Sequence, residues 1–255
     1  MPFQKIEAEK LSQSVVHQIE LLILRGILRP GERLPSEREL SERLGVSRPS
    51  LREAVANLQD RGLLTSRPNA GIFVADRLGS AFAPGLIDLF SSHAEAVFDY
   101  VSFRRDMEGL AAERAAKQGS DTDLKVIDAI FAKMEAAHQR RDPTNEAGLD
   151  ADFHMAIIEA SHNVVMLHMM RSMYDLLRQG VFYNRQMMFK NRITRDQLLD
   201  QHRAVNLAIQ SRDTRAARVA VEAHMDFVEQ SMACQIKAAR NEAVALQRLH
   251  HEETR

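Results

Sequence analysis

Apolar residues recur every three or four positions along most of this chain, and the polar and glycine breaks between the runs mark off its elements. Near the start, Leu11, Val15, Ile19, Leu22 and Ile23 form one helical stripe. The run SERELSERL follows, with Ser36 placed as a helix N-cap and Glu39 three residues on, the spacing of a capping box. Gly45 stands where a helix ends on a left-handed residue, Val46 fills the turn, and Ser47 caps a second helix. Pro49 falls in the first turn of that helix, where its missing N–H costs nothing. The apolar face of the helix is Leu51, Val55 and Leu58, at i, i+4 and i+7. The period then changes. LLTSRPNAGIFVA carries two short aliphatic and β-branched runs around a Pro68-Asn69-Ala70-Gly71 turn, the pattern of a β-hairpin. Three helices and a hairpin predict a winged helix-turn-helix over residues 1–76.

Residues 77–84 read as a linker, because small and polar residues end the hairpin in DRLGSAFAP and a proline precedes new helical periodicity. Beyond it no strand pattern recurs. Helices are predicted at roughly 84–92, 95–118, 121–141, 144–161, 164–190, 194–211 and 213–248. Breaks fall at Gly119-Ser120, Asp142-Pro143, His162-Asn163, Asn191 and Ser211-Arg212-Asp213. Long helices joined by short connections imply an antiparallel bundle. The fold class expected is therefore mainly α, a winged helix-turn-helix followed by an all-α bundle over 85–245, with 246–255 a solvated tail.

Composition narrows the class. The 255 residues are 45% apolar, enough for one large core or two modest ones. A single cysteine, Cys234, leaves no internal disulfide, and no apolar run approaches the length of a membrane span. With no secretory leader either, the chain reads as a soluble cytoplasmic protein without a membrane partner. The net charge is −1, which argues against a general nucleic-acid coat. The basic excess is local. Residues 25–77 hold ten Lys/Arg against seven Asp/Glu, a surplus that fits site-specific binding with electrostatic help.

The start of the second helix of a helix-turn-helix is the part that meets base edges in the major groove. Arg48 and Arg52 stand there, one turn apart and opposite the apolar face, and arginine can bind the O6 and N7 of guanine bidentately. The plainer reading is ordinary solvated charge on a small amphipathic helix. Arg67, near the hairpin tip, is placed to reach a phosphate or the minor groove. The strings RPGERLPSERELSERLGVSRPSLREA and GLLTSRPNAGIFV resemble the DNA-binding domain of the GntR family of bacterial transcription regulators. By that resemblance Arg38, Arg48 and Arg52 fall on base-contacting arginines, Ser47 and Ser50 on phosphate-contacting hydroxyls, and Arg67 to Gly71 on the wing tip. Asn69 replaces the family's usual glycine and Pro68 is also unusual there, but asparagine tolerates left-handed backbone. The resemblance implies a homodimer on double-stranded, palindromic operator DNA with half-sites of the TGGT/ACCA kind.

The bundle carries a second constellation. Asp150 and His154, in DADFHMAI, are four apart and project from one helical face, a spacing that can clamp a divalent metal. His202 and His224 lie on later predicted helices and would complete a three-histidine, one-aspartate site if the helices converge. Against this, an Asp/His pair at this spacing is often a surface ion pair. The domain resembles the all-helical FCD ligand domain of the FadR subgroup, in which an Asp-x-x-x-His pair and two later histidines bind metal. Asp150, His154, His202 and His224 match those positions; His138, His162, His168, His250 and His251 do not. Such a donor set suits zinc first, with nickel, iron and manganese also open.

The same resemblance, which extends to regulators of pyruvate, glycolate and lactate metabolism, makes the expected effector a small 2-hydroxy or 2-keto monocarboxylate. It also places Arg104 as partner to that carboxylate, the alternative being a salt bridge to Glu108. Asn163 matches a subgroup asparagine and reads as a helix cap. Met166, Met169, Met170 and Met173 follow helical spacing and read as core rather than a soft-metal site. The expected function is thus a DNA-binding repressor rather than an enzyme. Two other classes compete, a metal-dependent hydrolase, for which no general base like that of HExxH is present, and a metal-stabilised helical interaction module.

Overall fold

Helix α1 (Glu9–Leu24) turns Val15, Ile19 and Ile23 inward against Leu51, Ala54, Val55 and Leu58 of α3 (Arg48–Asp60). The stripe is shorter than its sequence suggests, since Leu11 remains 57% exposed and Leu22 is half-buried. Between them lies α2 (Glu37–Leu44). Ser36 accepts the Glu39 N–H at 3.3 Å, while the Glu39 carboxylate takes Arg43 at 2.6 Å. Gly45 ends α2 at φ 65, ψ 30, and Ser41 Oγ donates to the Val46 carbonyl at 2.8 Å, which locks the turn. Ser47 then caps α3 by accepting the Ser50 N–H at 3.3 Å.

The hairpin forms as β1 (Leu64–Arg67) and β2 (Gly71–Val74), antiparallel with Leu64 opposite Val74 and Arg67 opposite Gly71. One element was not legible in the sequence. Residues 31–34 lie along the free edge of β2, with Gly31 N–H donating to the Val74 carbonyl at 3.0 Å, Val74 N–H to Glu32 at 2.9 Å and Leu34 N–H to Ile72 at 2.9 Å. Bracketed by Pro30-Gly31 and Pro35, the piece is too short to show a period.

This computed structural model describes residues 9–68, 70–76, 82–178, 188 and 192–254, in two compact units, Met1–Phe82 and Ala83–Arg255. Asn69, most of the expected linker (77–81) and the end of the helix expected at 164–190 lie outside the described residues. The second unit is helical among the described residues. It comprises α4 (Pro84–Ser92), α5 (Ala94–Gln118), α6 (Asp121–Arg140), α7 (Pro143–Ala160), α8 (Val164–Arg178), α9 (Arg192–Gln210) and α10 (Thr214–Glu253). Helix α5 packs on α7 and α10, α6 on α7 and α9, and α9 on α10.

Caps set the corners of the bundle. Ser120 and Asp123 form a full capping box, Asp142 caps α7 ahead of Pro143, Asn163 accepts the Met166 N–H at 3.0 Å, and Asp213 caps α10. Of the methionine run, Met166 and Met170 are buried as core and Met169 stays exposed. Burial along α10 ends at Met232, and the helix continues through the expected tail to Glu253.

Candidate DNA-reading surface and metal centre

Because α3 is capped at Ser47 and buries Leu51, Ala54, Val55 and Leu58, its remaining face is solvent-exposed, and Arg48 and Arg52 project there. Ser47 and Ser50 hydroxyls lie 2.9 Å apart at the helix start, beside the N–H groups that favour anions. Arg38 is exposed in the first turn of α2. Arg52 Nε rests 2.8 Å from Glu37 Oε2, an exposed pair that costs little to break. On the wing, Arg67 reaches back to Asp76 at 3.0 Å and lies 4.3 Å over the Phe73 ring.

Asp150 and His154 stand one turn apart on α7, and α9 and α10 bring His202 and His224 to them. All four are buried, at 4%, 1%, 0% and 1% exposure, and their donor atoms lie within 4.8 Å of one another. His202 Nε2 is 2.9 Å from Asp150 Oδ1 and 3.3 Å from His154 Nε2, and His154 Nε2 is 3.7 Å from Asp150 Oδ1. Two donors each about 2.0–2.1 Å from one ion sit about 2.9–3.4 Å apart when adjacent in its coordination sphere, a spacing that the two His202 separations meet and that the 3.7 Å between His154 and Asp150 exceeds by a few tenths of an ångström. A surface ion pair, the plainer reading of Asp150 and His154, does not describe residues buried this deeply.

The surrounding groups prepare these nitrogens. Glu108 Oε2 takes the Nδ1–H of His154 at 2.6 Å, and Gln201 Oε1 takes the Nδ1–H of His224 at 3.0 Å, so both rings turn an Nε2 lone pair to the cluster. Burial opposes the charge on Glu108, yet Arg104 and then His154 overcome it and hold the carboxyl well below its ordinary range. Arg104 Nε donates to Glu108 Oε1 at 2.6 Å, and its Nη2 to the Tyr174 hydroxyl at 2.6 Å. Burial pushes the Tyr174 phenol well above its usual value, so it stays protonated and donates to Glu108 at 2.8 Å. Burial likewise drives His224 well below the histidine value, helped by His202 and His154, which leaves it neutral and able to ligate.

Arg104 therefore makes the salt bridge to Glu108 that its sequence spacing offered, 1% exposed. Tyr174 and Gln201 carried no signal in the sequence, since Tyr174 meets Arg104 across seventy residues and Gln201 is an ordinary polar neighbour of His202. The other histidines stand apart. His138 faces Glu146 and Asp196, and His162 pairs with Asp123.

Comparison with known proteins then decides the family. Residues 11–74 match the bacterial regulatory proteins of the gntR family, and residues 99–227 match the FCD domain. The chain is 36% identical over 227 residues, 88% of its length and 86% of the relative's, to a regulatory protein of Escherichia coli (strain K12) named for the L-lactate dehydrogenase operon. The chain belongs to the GntR family of bacterial regulators. It is 32% identical over 231 residues, covering 89% of this chain and 91% of the relative, to the Glc operon transcriptional activator of the same organism. The solved structure of Streptococcus agalactiae GntR superposes with a TM-score of 0.56 at 25% identity, over 86% of this chain and 99% of that one. As a GntR regulator with an FCD domain, the protein is a DNA-binding transcriptional regulator and not an enzyme. No helix among the described residues is long and apolar enough to cross a membrane.

Proposed function

We propose that this GntR regulator is a homodimeric repressor whose grip on a palindromic operator is controlled by a small 2-hydroxy or 2-keto monocarboxylate, bound at a divalent ion in the FCD domain. The observation that carries the proposal is the buried convergence of Asp150, His154, His202 and His224, with Glu108 and Gln201 holding two of the rings. Zinc is the ion of first choice for three imidazoles and one carboxylate. When bound, the ion supplies a net positive site with open coordination positions, which a carboxylate and its neighbouring hydroxyl or keto oxygen can fill. Arg104 adds a guanidinium for the same carboxylate, loosening part of its hold on Glu108 as it does so. A relative named for an L-lactate dehydrogenase operon supports this ligand class, since L-lactate is a 2-hydroxy monocarboxylate.

On the DNA side, Arg38, Arg48 and Arg52 read base edges, Ser47 and Ser50 hold phosphates, and the wing from Arg67 to Gly71 follows the adjacent groove. The test begins with metal analysis of protein purified without chelator, where about one divalent ion per chain is expected. His202→Ala and His224→Ala should each lower the metal content and the melting temperature, because His202→Ala also leaves Asp150 without its 2.9 Å partner. Lactate, glycolate or pyruvate should then weaken operator binding by wild type and leave both variants unaffected. Metal-free protein in every preparation contradicts the site, and operator binding indifferent to all three acids contradicts the ligand class.

A further inference from the structure

The wing carries a second arginine with no part in the scheme above. Arg33 lies in the extended piece that hydrogen-bonds along β2, opposite Phe73. Its neighbour Leu34 is buried at 3%, so alternation along the piece turns Arg33 out to solvent. The guanidinium lies against the wing tip, where a Cβ built on Gly71 would meet Arg33 Nε at 3.4 Å and Nη2 at 3.6 Å. Gly71 has φ 102, a backbone that L side chains avoid, so its conformation is what calls for glycine at the tip, and the Arg33 guanidinium lies in van der Waals range of where a Cβ would stand.

The two wing arginines differ in what they already hold. Arg67 is paired with Asp76 at 3.0 Å and stacked on Phe73, so part of its charge is already balanced before it meets a phosphate. Among the described residues no carboxylate is within ion-pair distance of Arg33. The piece it stands on follows α1 in the chain and leads directly through Pro35 to Ser36, the cap of α2, while its hydrogen bonds lay it along β2, so Arg33 sits beside the wing on the segment that enters the helix-turn-helix.

We infer that Arg33 is a DNA-backbone contact, a cation that binds a phosphate beside the wing tip and fixes the register of the domain without reading sequence. The inference rests on the regulator's DNA binding and is independent of the metal and effector reading. A phosphate contact has a signature that a packing residue lacks. Each neutralised phosphate contributes about 0.9 to the slope of log affinity against log salt. The experiment follows fluorescence anisotropy of a duplex recovered from a random pool by the wild-type protein, over a series of potassium chloride concentrations.

Arg33→Gln should lower that slope by about one contact and weaken binding to selected and unselected duplexes alike, with the melting temperature unchanged. Arg33→Lys should restore most of the slope, because a point charge suffices for a phosphate. Arg67→Gln should change the slope less, and Asp76→Asn, which frees Arg67, should raise it. An unchanged slope in Arg33→Gln overturns the inference, as does a loss confined to the selected duplex or one that tracks a lower melting temperature. If wild type recovers no duplex at all, the regulator reading fails and the role of Arg33 falls with it.

Discussion

Arg52 holds Glu37 at 2.8 Å on an exposed surface, a pair that the proposed base contact would have to replace. Such pairs contribute about 0.2–1 kcal/mol, less than a bidentate arginine–guanine contact returns, so the exchange favours DNA. Arg48→Ala and Arg52→Ala should each cost about 1–3 kcal/mol of operator affinity and relax the preference at one guanine, measured with single-base operator variants. Wild-type binding by both would contradict their base-reading role. In the bundle, His224 and Glu108 both bind fewer protons folded than unfolded, since burial holds His224 neutral and Arg104 with His154 holds Glu108 ionised against its burial. Depressed folded values contribute stability above the unfolded values and lose it as pH falls. The His224 window therefore opens below about 6.5, and the Glu108 window opens only below about 4.3. Metal-stripped protein should melt at lower temperature at about pH 5.5 than at about pH 7.5, and His224→Gln should flatten that slope. A pH-independent melting temperature over this range would show that His224 is not held neutral.

At the scale of elements, capping residues predicted the corners of the fold well. Ser36, Gly45 and Ser47 frame the helix-turn-helix as their chemistry requires, and Asn163 caps α8. Gly45 has left-handed backbone with open space around its Cβ position, so Gly45→Ala should cost about 1 kcal/mol through backbone strain alone, and Gly45→Asn less. Denaturant midpoints measure both, and equal losses would mean that contacts rather than backbone decide the position. What the sequence hid was non-local. The strand-like piece at 31–34 is defined by hydrogen bonds to β2 rather than by any period of its own. Leu11 keeps helical phase but lies beyond the reach of α3's core face and stays exposed. The site divides in the same way. The Asp150–His154 pair is visible from spacing, His202 and His224 needed the family likeness, and Tyr174 and Gln201 emerge only once α8 and α9 are packed.

For the whole molecule, the proposed ion would draw its donors from α7, α9 and α10 and so tie three bundle helices together, and its removal should loosen all three. Binding at a hundredfold excess over Kd contributes about 2.7 kcal/mol, so a strong chelator should lower the melting temperature of wild type but not of His202→Ala. Equal shifts would place the ion elsewhere. Control of DNA binding asks more than ligand binding, because a ligand moves an equilibrium only by its differential affinity for the two states. A tenfold effect on operator affinity needs about 1.4 kcal/mol of that difference, and reciprocity requires operator DNA to weaken the ligand by the same factor. The decisive measurement is calorimetric titration of L-lactate, glycolate and pyruvate into metal-loaded protein, free and saturated with operator. At least one acid should bind the free protein about tenfold more tightly than the DNA complex. Equal affinities in the two states, however tight, would contradict a switch at Asp150, His154, His202 and His224.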